Sequence, residues 1–430
     1  MYLTRLRLKH IKLLAESDLS FVDSAGQPRM WTVLLGDNGL CKSTILQCIA
    51  ISAAGPKLGS ALTRDASTLH RVDAREEATV EATFVPSSER GWKTAHDRPD
   101  SLRLAWQVSS ERSDVVADRG SRDTAELLDD VRASKKGVEG WFVAGYGVGR
   151  FLPRPGEVSL PPDPRFDRLE GLFEKHHKML GTDFFGALQR DDSKQALAYS
   201  KALQTVLLSE KDGQKLFPML SHLELRGQGG VQKLKHLLES RRMVLDLAGT
   251  ELRLPATALS DGYQSMLAWL ADLLGHAFLE HGSKAQPKDL RGIVLLDEID
   301  LHLHPHWQRR IVPLLRHVFP HVQFIVTTHS PLVVAGVEAH EIIRLRLEGE
   351  HVVADQEEPE PGLRTASQLL STFFDVPFAA RQELVEKRRE LRELKAANRL
   401  SPRERKRLQA LEEELDRYRR MPEDTEELDS

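Results

Sequence analysis

The chain has 430 residues, with 60 Lys+Arg against 64 Asp+Glu, a formal net charge of -4 and 40% hydrophobic residues, which is the balance of an ordinary globular protein long enough for two or three lobes. That charge gives no global attraction to nucleic acid or anionic lipid, so a polyanion site must be a local patch. No apolar run approaches the ~20 residues of a membrane helix, the opening MYLTRLRLKH lacks a signal-type apolar stretch, and two cysteines without a CxxC pair fit a reducing, cytoplasmic setting.

Residues 2–8 and 17–22 alternate as half-buried strands do, and WTVLL (31–35) is an apolar run closing at Gly36. From Ser43 to about Ala53, Ile45, Leu46, Ile49 and Ala50 recur at helical spacing, so the first unit is strand, Gly-containing loop, helix. Residues 76–85 and 102–108 alternate again, which predicts an antiparallel β lobe over about 70–150, with a polar stretch at 110–137 where TAELLDDV could form a short helix. WFVAG, the glycines Gly145, Gly147 and Gly149 and a Pro-rich stretch then lead to helical patterns from about 168 to 242, read as a helical lobe over about 165–243. VLDLAGTELRL (244–254) predicts a hairpin turning at Gly249, and Leu259 to about Leu279 a long helix. Gly292–Leu296, a helix near 306–317 and Val322–Thr327 resume the strand–helix alternation.

The segment 346–430 is different in kind. Basic residues outnumber acidic ones over 381–420, and the final residues are acidic. Ser401, Pro402 and Glu404 spell a helix start, so a charged helical hairpin over about 378–420 is expected, either as a solvated face or as an arm for a partner or nucleic acid.

Gly36-Asp-Asn38-Gly39-Leu-Cys41-Lys42-Ser43-Thr44 lies between a buried strand and a helix, the setting of a phosphate-binding loop. Backbone N–H groups and the helix N-terminus would cradle phosphate, Lys42 would reach the β/γ phosphates, and the Ser43 hydroxyl would ligate Mg²⁺. Cys41 stands where the motif has glycine, so its Cβ is expected to strain the loop or crowd the nucleotide. GIVLL followed by Asp297-Glu298 is an apolar strand delivering two acids to its carboxyl edge, where Asp297 would meet the Mg²⁺ and Glu298 would polarise a water. FIVTTHS brings His329 to the same edge. Leu259-Ser260-Asp-Gly262-Tyr-Gln264 opens the long helix, either as a polyanion-binding N-terminus or as a simple N-cap at Ser260. His302, His304 and His306 alternate, yet a loop alternation supplies no fourth zinc ligand.

In this order the motifs resemble those of the ABC-type ATPases, in the soluble branch that includes SMC, RecF and OLD-type proteins and stand-alone ATPases of bacterial defence systems. The resemblance covers residues 1 to about 345. It implies an α/β P-loop NTPase fold of ABC-ATPase type, with a discontinuous core (1–60 and 244–345), the β and helical lobes as insertions, and the charged hairpin as an extension. It further implies ATP and Mg²⁺ as ligands, with Gly36, Asn38, Gly39, Cys41, Lys42, Ser43 and Thr44 on the nucleotide, Ser43 and Asp297 on the metal, Glu298 as base and His329 as switch residue. Ser260, Gly262 and Gln264 would form the signature that contacts ATP held by a second protomer, Asp300 would lie in the loop crossing that interface, and Lys12 matches a basic residue near the nucleotide. The glutamine loop is left between Gln107 and the Gly145–Gly149 region.

The resemblance thus implies a homodimer that sandwiches ATP and separates on hydrolysis, with no membrane partner. Only 101 residues follow His329, and no second catalytic domain is read in them, so an effector in antiviral defence would be a separate polypeptide and nucleic acid a possible trigger. The alternative is a nucleotide-gated scaffold that does not hydrolyse, for which Cys41 is the motive.

Overall fold

A computed structural model describes residues 1–87, 100–133, 141–152, 161, 163–180, 184, 188, 192–218, 220–225, 243–247, 253–356, 359–362, 364–374, 376, 386–387, 389–391, 394–395 and 401–416. The chain divides into two units, Met1–Arg364 and Thr365–Ser430.

Two sheets organise the first unit. The antiparallel one contains β1 (Tyr2–Ile11), β2 (Leu14–Ser20), β4 (Ala78–Val85), β5 (Leu102–Val108) and β6 (Val116–Ala117), in the order β2-β1-β4-β5-β6. Alternation sets its two faces: Leu6, Leu8, Val80 and Leu104 are fully buried, while Arg5 pairs with Asp18, and Arg7 and Arg103 with Glu81, on the wet side.

The other sheet comprises β3 (Trp31–Leu35), β7 (Val143–Tyr146), β13 (Gly292–Leu296), β14 (Val322–Thr327), β15 (Ile342–Glu348) and β16 (His351–Asp355), ordered β16-β15-β3-β14-β13-β7. All are parallel except β16. β3, β13 and β14 are buried at every position, the signature of parallel strands covered on both faces. Trp31 stacks on Phe324 across neighbouring strands, with centroids 4.6 Å apart. Helix α1 (Lys42–Ala54) follows β3 and is buried almost all round, so it lies in the core instead of on the surface.

Gln323 joins the two sheets. Its side chain is fully buried; Oε1 accepts from Leu3 N at 2.7 Å, and Nε2 donates to Leu3 O and Arg29 O, both at 2.9 Å.

The remaining helices of this unit include α2 (Pro56–Thr63), α3 (Arg122–Ala133), α4 (Pro164–Glu170), α5 (Ser193–Leu207) and α6 (Asp261–His281). In place of one helix near 306–317 there are two short ones, Pro305–Gln308 and Ile311–Val318. The short helix read in TAELLDDV falls in α3, and the hairpin read at 244–254 is β11 (Met243–Leu247) against β12 (Arg253–Pro255); the expected turn at Gly249 lies outside the described residues.

Three expectations need correction. The stretch read as helical to 242 contains a hairpin, β8 (Glu210–Lys211) with β9 (Gln214–Lys215), and then β10 (Leu220–Leu225) paired with β11. Asp212 and Gly213 both have positive φ, 52° and 71°, which is the geometry of a tight hairpin turn, and the Asp-Gly pair was its legible signal. β7, assigned to the β lobe, belongs instead to the parallel sheet, and β1 and β2 belong to the antiparallel one. The boundary placed at 345 falls inside β15, whose pairing with β3 and β16 carries the sheet on to Asp355.

In the second unit, Thr365 and Gln368 close a capping box on the helix Ala366–Phe373. Ser401 and Glu404 cap Pro402–Asp416 reciprocally, at 3.3 and 2.7 Å. Arg407 grips Glu390 through two nitrogens at 2.8 and 2.7 Å, and Lys395 meets Glu412 at 2.8 Å; residues 396–400, where the expected hairpin would turn, lie outside the described residues.

Replacing Gln323 with Leu leaves three buried backbone groups unpaired. The expected loss is about 3 kcal/mol, read as a lower urea midpoint at unchanged slope; a midpoint equal to wild type would mean that the two sheets do not depend on this side chain.

Candidate functional site

The carboxyl ends of β3, β13, β14 and β7 deliver adjacent loops to one edge, as open parallel sheets do. After β3 the chain turns through Gly36 (φ 143°), Gly39 (φ 86°) and Cys41 (φ 62°, ψ 17°) into α1. A Cβ on Gly36 would stand 2.6 Å from Leu345 O of β15, so glycine is required there. Cys41 holds the left-handed geometry in which glycine is free and an L residue costs about 1–2 kcal/mol. It is buried, as is Cys48, whose thiol burial pushes up to about 12, leaving it a protonated core group.

Lys42 is 7% exposed. Its Nζ donates to Gly36 O and Asp37 O at 2.7 and 2.8 Å, curling under the loop. Burial lowers its pKa, and Asp297 and Glu298 oppose that shift. Asp37, Asn38 and Gly39 are exposed along the loop. Thr44 faces the other lobe: its Oγ1 accepts from Lys12 Nζ at 3.2 Å, and Lys12 sits at positive φ in the β1–β2 turn.

Asp297 ends β13. Its Oδ2 accepts from the Ser43 hydroxyl and its Oδ1 from the Thr327 hydroxyl, each at 2.6 Å. Thr327 Oγ1 in turn accepts from Glu298 N at 2.7 Å, which holds Glu298 at φ 48° beside the Asp297 carboxylate. Ser43 and Asp297 are the residues that could hold a divalent cation here, with Glu298 next in the chain. Thr328 donates to Asp300 Oδ1, which also accepts from His329 N at 3.3 Å, so Asp300 braces the histidine loop within its own chain. His329 itself is half-buried.

Ser260 starts α6 but makes no side-chain cap bond, and it is exposed, which disfavours the simple N-cap reading. A Cβ on Gly262 would lie 2.3 Å from His302 O, so the loop after Glu298 passes directly over this glycine. Gln264 Nε2 is folded back onto Leu259 O at 2.7 Å. His304 Nδ1 accepts from His306 N at 3.4 Å at the start of its short helix, and the two rings stack.

Of the two glutamine-loop candidates, Gln107 lies on β5, paired with Thr79 and Val116 in the antiparallel sheet, whereas Gly145–Gly149 occupies the carboxyl edge beside β13. Sequence reasoning missed the residue that follows. Arg150 is 2% exposed; it donates to Asp297 O at 2.5 Å, Glu298 O at 2.7 Å and Gly147 O at 3.2 Å, and its Nε reaches Ser265 Oγ of α6 at 3.4 Å. Burial lowers its pKa to about 10, with Asp297, Glu298 and Asp300 opposing, so it stays a cation at neutral pH. Its signal was an Arg directly after a Gly-rich strand end. Thr327 was also missed as a participant, although it stands inside the quoted TTHS motif.

Residues 31–335 match the sequence model of the family described as AAA domain, putative AbiEii toxin, Type IV TA system. The chain belongs to that family. It is 24% identical over 378 residues to the Septu protein PtuA of Bacillus mycoides (strain KBAB4), covering 87% of this chain and 45% of that one. It is 42% identical over 111 residues to the Retron Ec83 probable ATPase of Escherichia coli, covering 25% of this chain and 20% of that one. The chain thus spans less than half the length of these curated relatives. Among solved structures, an SMC head bound to the C-winged helix domain of ScpA aligns with TM-score 0.54 at 20% identity, over 83% of this chain and 97% of that one. The fold is that of an SMC-head-like α/β P-loop ATPase, as the motif order implied. Among the described residues, no helix is long and apolar enough to cross a membrane.

Arg150→Met should cost about 3 kcal/mol of stability by leaving buried carbonyls without donors, and Arg150→Lys should recover less than half of it, because an ammonium cannot span the same fork. Urea denaturation of the variants measures both; a wild-type midpoint for Arg150→Met would show that the clamp holds nothing.

Proposed function

We propose that the chain is an ATP-binding and hydrolysing switch of the ABC/SMC-like class, cytoplasmic, which dimerises around Mg-ATP. The observation that carries this reading is the Ser43–Asp297 hydrogen bond of 2.6 Å beside a strained, tethered Glu298. Lys42 and the backbone of Gly36, Asn38, Gly39 and Cys41 would hold the phosphates, together with Thr44 and, through it, Lys12. Ser43 and Asp297 would hold Mg²⁺, Glu298 would orient and deprotonate the attacking water, and His329 would sense the γ-phosphate. The exposed Ser260 hydroxyl, with Gly262 and Gln264, would close the site of a second protomer, and movement of Asp300 and His302 would relay occupancy to α6. Similarity to the Septu and retron proteins supports a role in antiviral defence, in which the switch would act on a separate effector protein with a partner or nucleic acid as trigger.

A second reading, a nucleotide-gated scaffold without turnover, is favoured by Cys41. Against it, Cys41 already adopts the conformation glycine would take, so the expected effect of Cys41→Gly on turnover is within about threefold, under ~1 kcal/mol of barrier. A large rise from a silent wild type would favour the scaffold.

Light scattering with and without Mg-ATP, alongside phosphate release, tests the switch. Glu298→Gln should double in mass with ATP and lose at least about 100-fold in turnover, while wild type hydrolyses. ATP binding without any mass change in either protein would sink the dimer, and absence of ATP binding would sink the whole reading.

A further inference from the structure

The β8–β9 hairpin, the short helices Pro305–Gln308 and Ile311–Val318, and the helix Pro331–Val334 border a groove of about 730 Å³, a size that takes a small ligand or a few residues of a peptide. Its floor is apolar, with Leu314 buried and Leu332 and Pro313 half-buried. Its edge is basic: Lys211 and Arg309 are exposed and Arg310 half-buried, and Asp212 is the one carboxylate of the lining among the described residues. Among those residues, none of the three cations has an ion-pair partner. Arginines on the wet face of the antiparallel sheet are paired instead, Arg5 with Asp18 and Arg103 with Glu81. In a chain of formal net charge -4, three unpaired cations around an apolar trough are a local reversal of sign, which draws an anionic partner to that spot.

The walls of the groove are joined to the loops that carry Asp300 and His329. Gln308 ends the helix on one side; its Oε1 accepts from the Ser330 hydroxyl at 2.7 Å and its Nε2 donates to Leu303 O at 2.9 Å. Ser330 caps the helix on the other side through Leu332 N and Val333 N. Its own N–H donates at 3.0 Å to the Thr328 hydroxyl, which in turn donates to Asp300. A body wedged between Arg309 and Leu332 therefore presses on both helices that the Gln308–Ser330 bond holds together, one bond away from the brace of the histidine loop.

We propose that this groove docks an acidic segment of a partner protein, with an apolar side chain of the segment on Leu332 and Pro313 and its carboxylates on Arg309, Arg310 and Lys211. The inference rests on the reading that the chain acts on a separate protein, and it names the surface and the chemistry of that contact. Apolar floor and cationic edge together suit a peptide that alternates acids with apolar residues. Nucleic acid is a poorer match: among the described residues no Phe, Tyr or Trp lines the groove to stack a base, and three cations make no stripe along which a phosphate backbone could run. Because the walls are tied to the Asp300 and His329 loops, docking and nucleotide occupancy bias one another.

The test displays random dodecapeptides on phage and selects them on the full chain without nucleotide, with counter-selection on Arg309→Glu/Arg310→Glu. The expected winners carry two or more Asp or Glu around an apolar residue. Synthesised, they should bind wild type with an affinity that falls as salt is raised and at least about 10-fold more weakly to the counter-selected variant. Reversal of two exposed charges elsewhere, Lys194→Glu with Lys201→Glu on α5, should leave binding intact. Failure to find peptides that tell wild type from Arg309→Glu/Arg310→Glu would overturn the proposal, as would winners without acidic residues. A twelve-residue oligothymidylate that binds this groove more tightly than the selected peptides would overturn it in favour of nucleic acid. These readings need no ATP, so they stand or fall apart from the ATPase reading. With Glu298→Gln, saturating Mg-ATP should change peptide affinity at least about fivefold; an unchanged affinity in a protein that binds ATP would overturn the link to the histidine loop.

Discussion

One carboxylate, Asp297, ties together the elements on which the rest of the molecule depends. Its two oxygens take hydroxyl protons from Ser43 at the head of α1 and from Thr327 at the end of β14, while its own carbonyl is held by Arg150 beyond β7. Loops entering from different parts of the chain are thereby fixed to a single point. The parallel sheet makes this possible, because β13 lies between β14 and β7, and β3 between β14 and β15, so every loop that follows these strands emerges on the same side.

Backbone strain gathers around that point. Cys41, Glu298 and His302 all have positive φ without being glycine, each at a cost of order 1 kcal/mol. Glu298 is kept there by bonds at both ends of its peptide, from its N–H to Thr327 and from Arg150 to its carbonyl. The glycines at 36 and 262 serve a different need, since each lets another backbone pass within 3 Å of where a side chain would begin. Gly36 and Gly262 are thus motif positions that admit a neighbouring strand or loop.

Much of this was legible from the sequence. Runs such as WTVLL and GIVLL announce strands covered on both faces, and the motifs that hold Lys42, Asp297 and His329, in that order, resemble those of a P-loop sheet. The capping box at Ser401 was readable because capping is local chemistry. Arg150 was not, because its value comes from carbonyls nearly 150 residues away, which no local pattern encodes. The hairpin at Asp212–Gly213 was readable and overlooked, because the helical periodicity of α5 ran up to it and was extended past the turn signal. The assignment of β7 to the wrong sheet has a similar root: an apolar segment shows that it is buried, not which neighbours bury it.

The order of strands also bears on how the chain is made. β3 emerges early, but its partners are β14 and β15, so at ribosomal speed roughly 290 further residues, some 15–60 s of synthesis, separate an unpaired apolar strand from its sheet. The antiparallel sheet has no such delay, since β1 meets β2 at once and β4 soon after. It offers α1 a surface on which to shelter while the later strands are still being added, and a nascent chain in that state exposes a sticky edge for which chaperones and wrong partners compete.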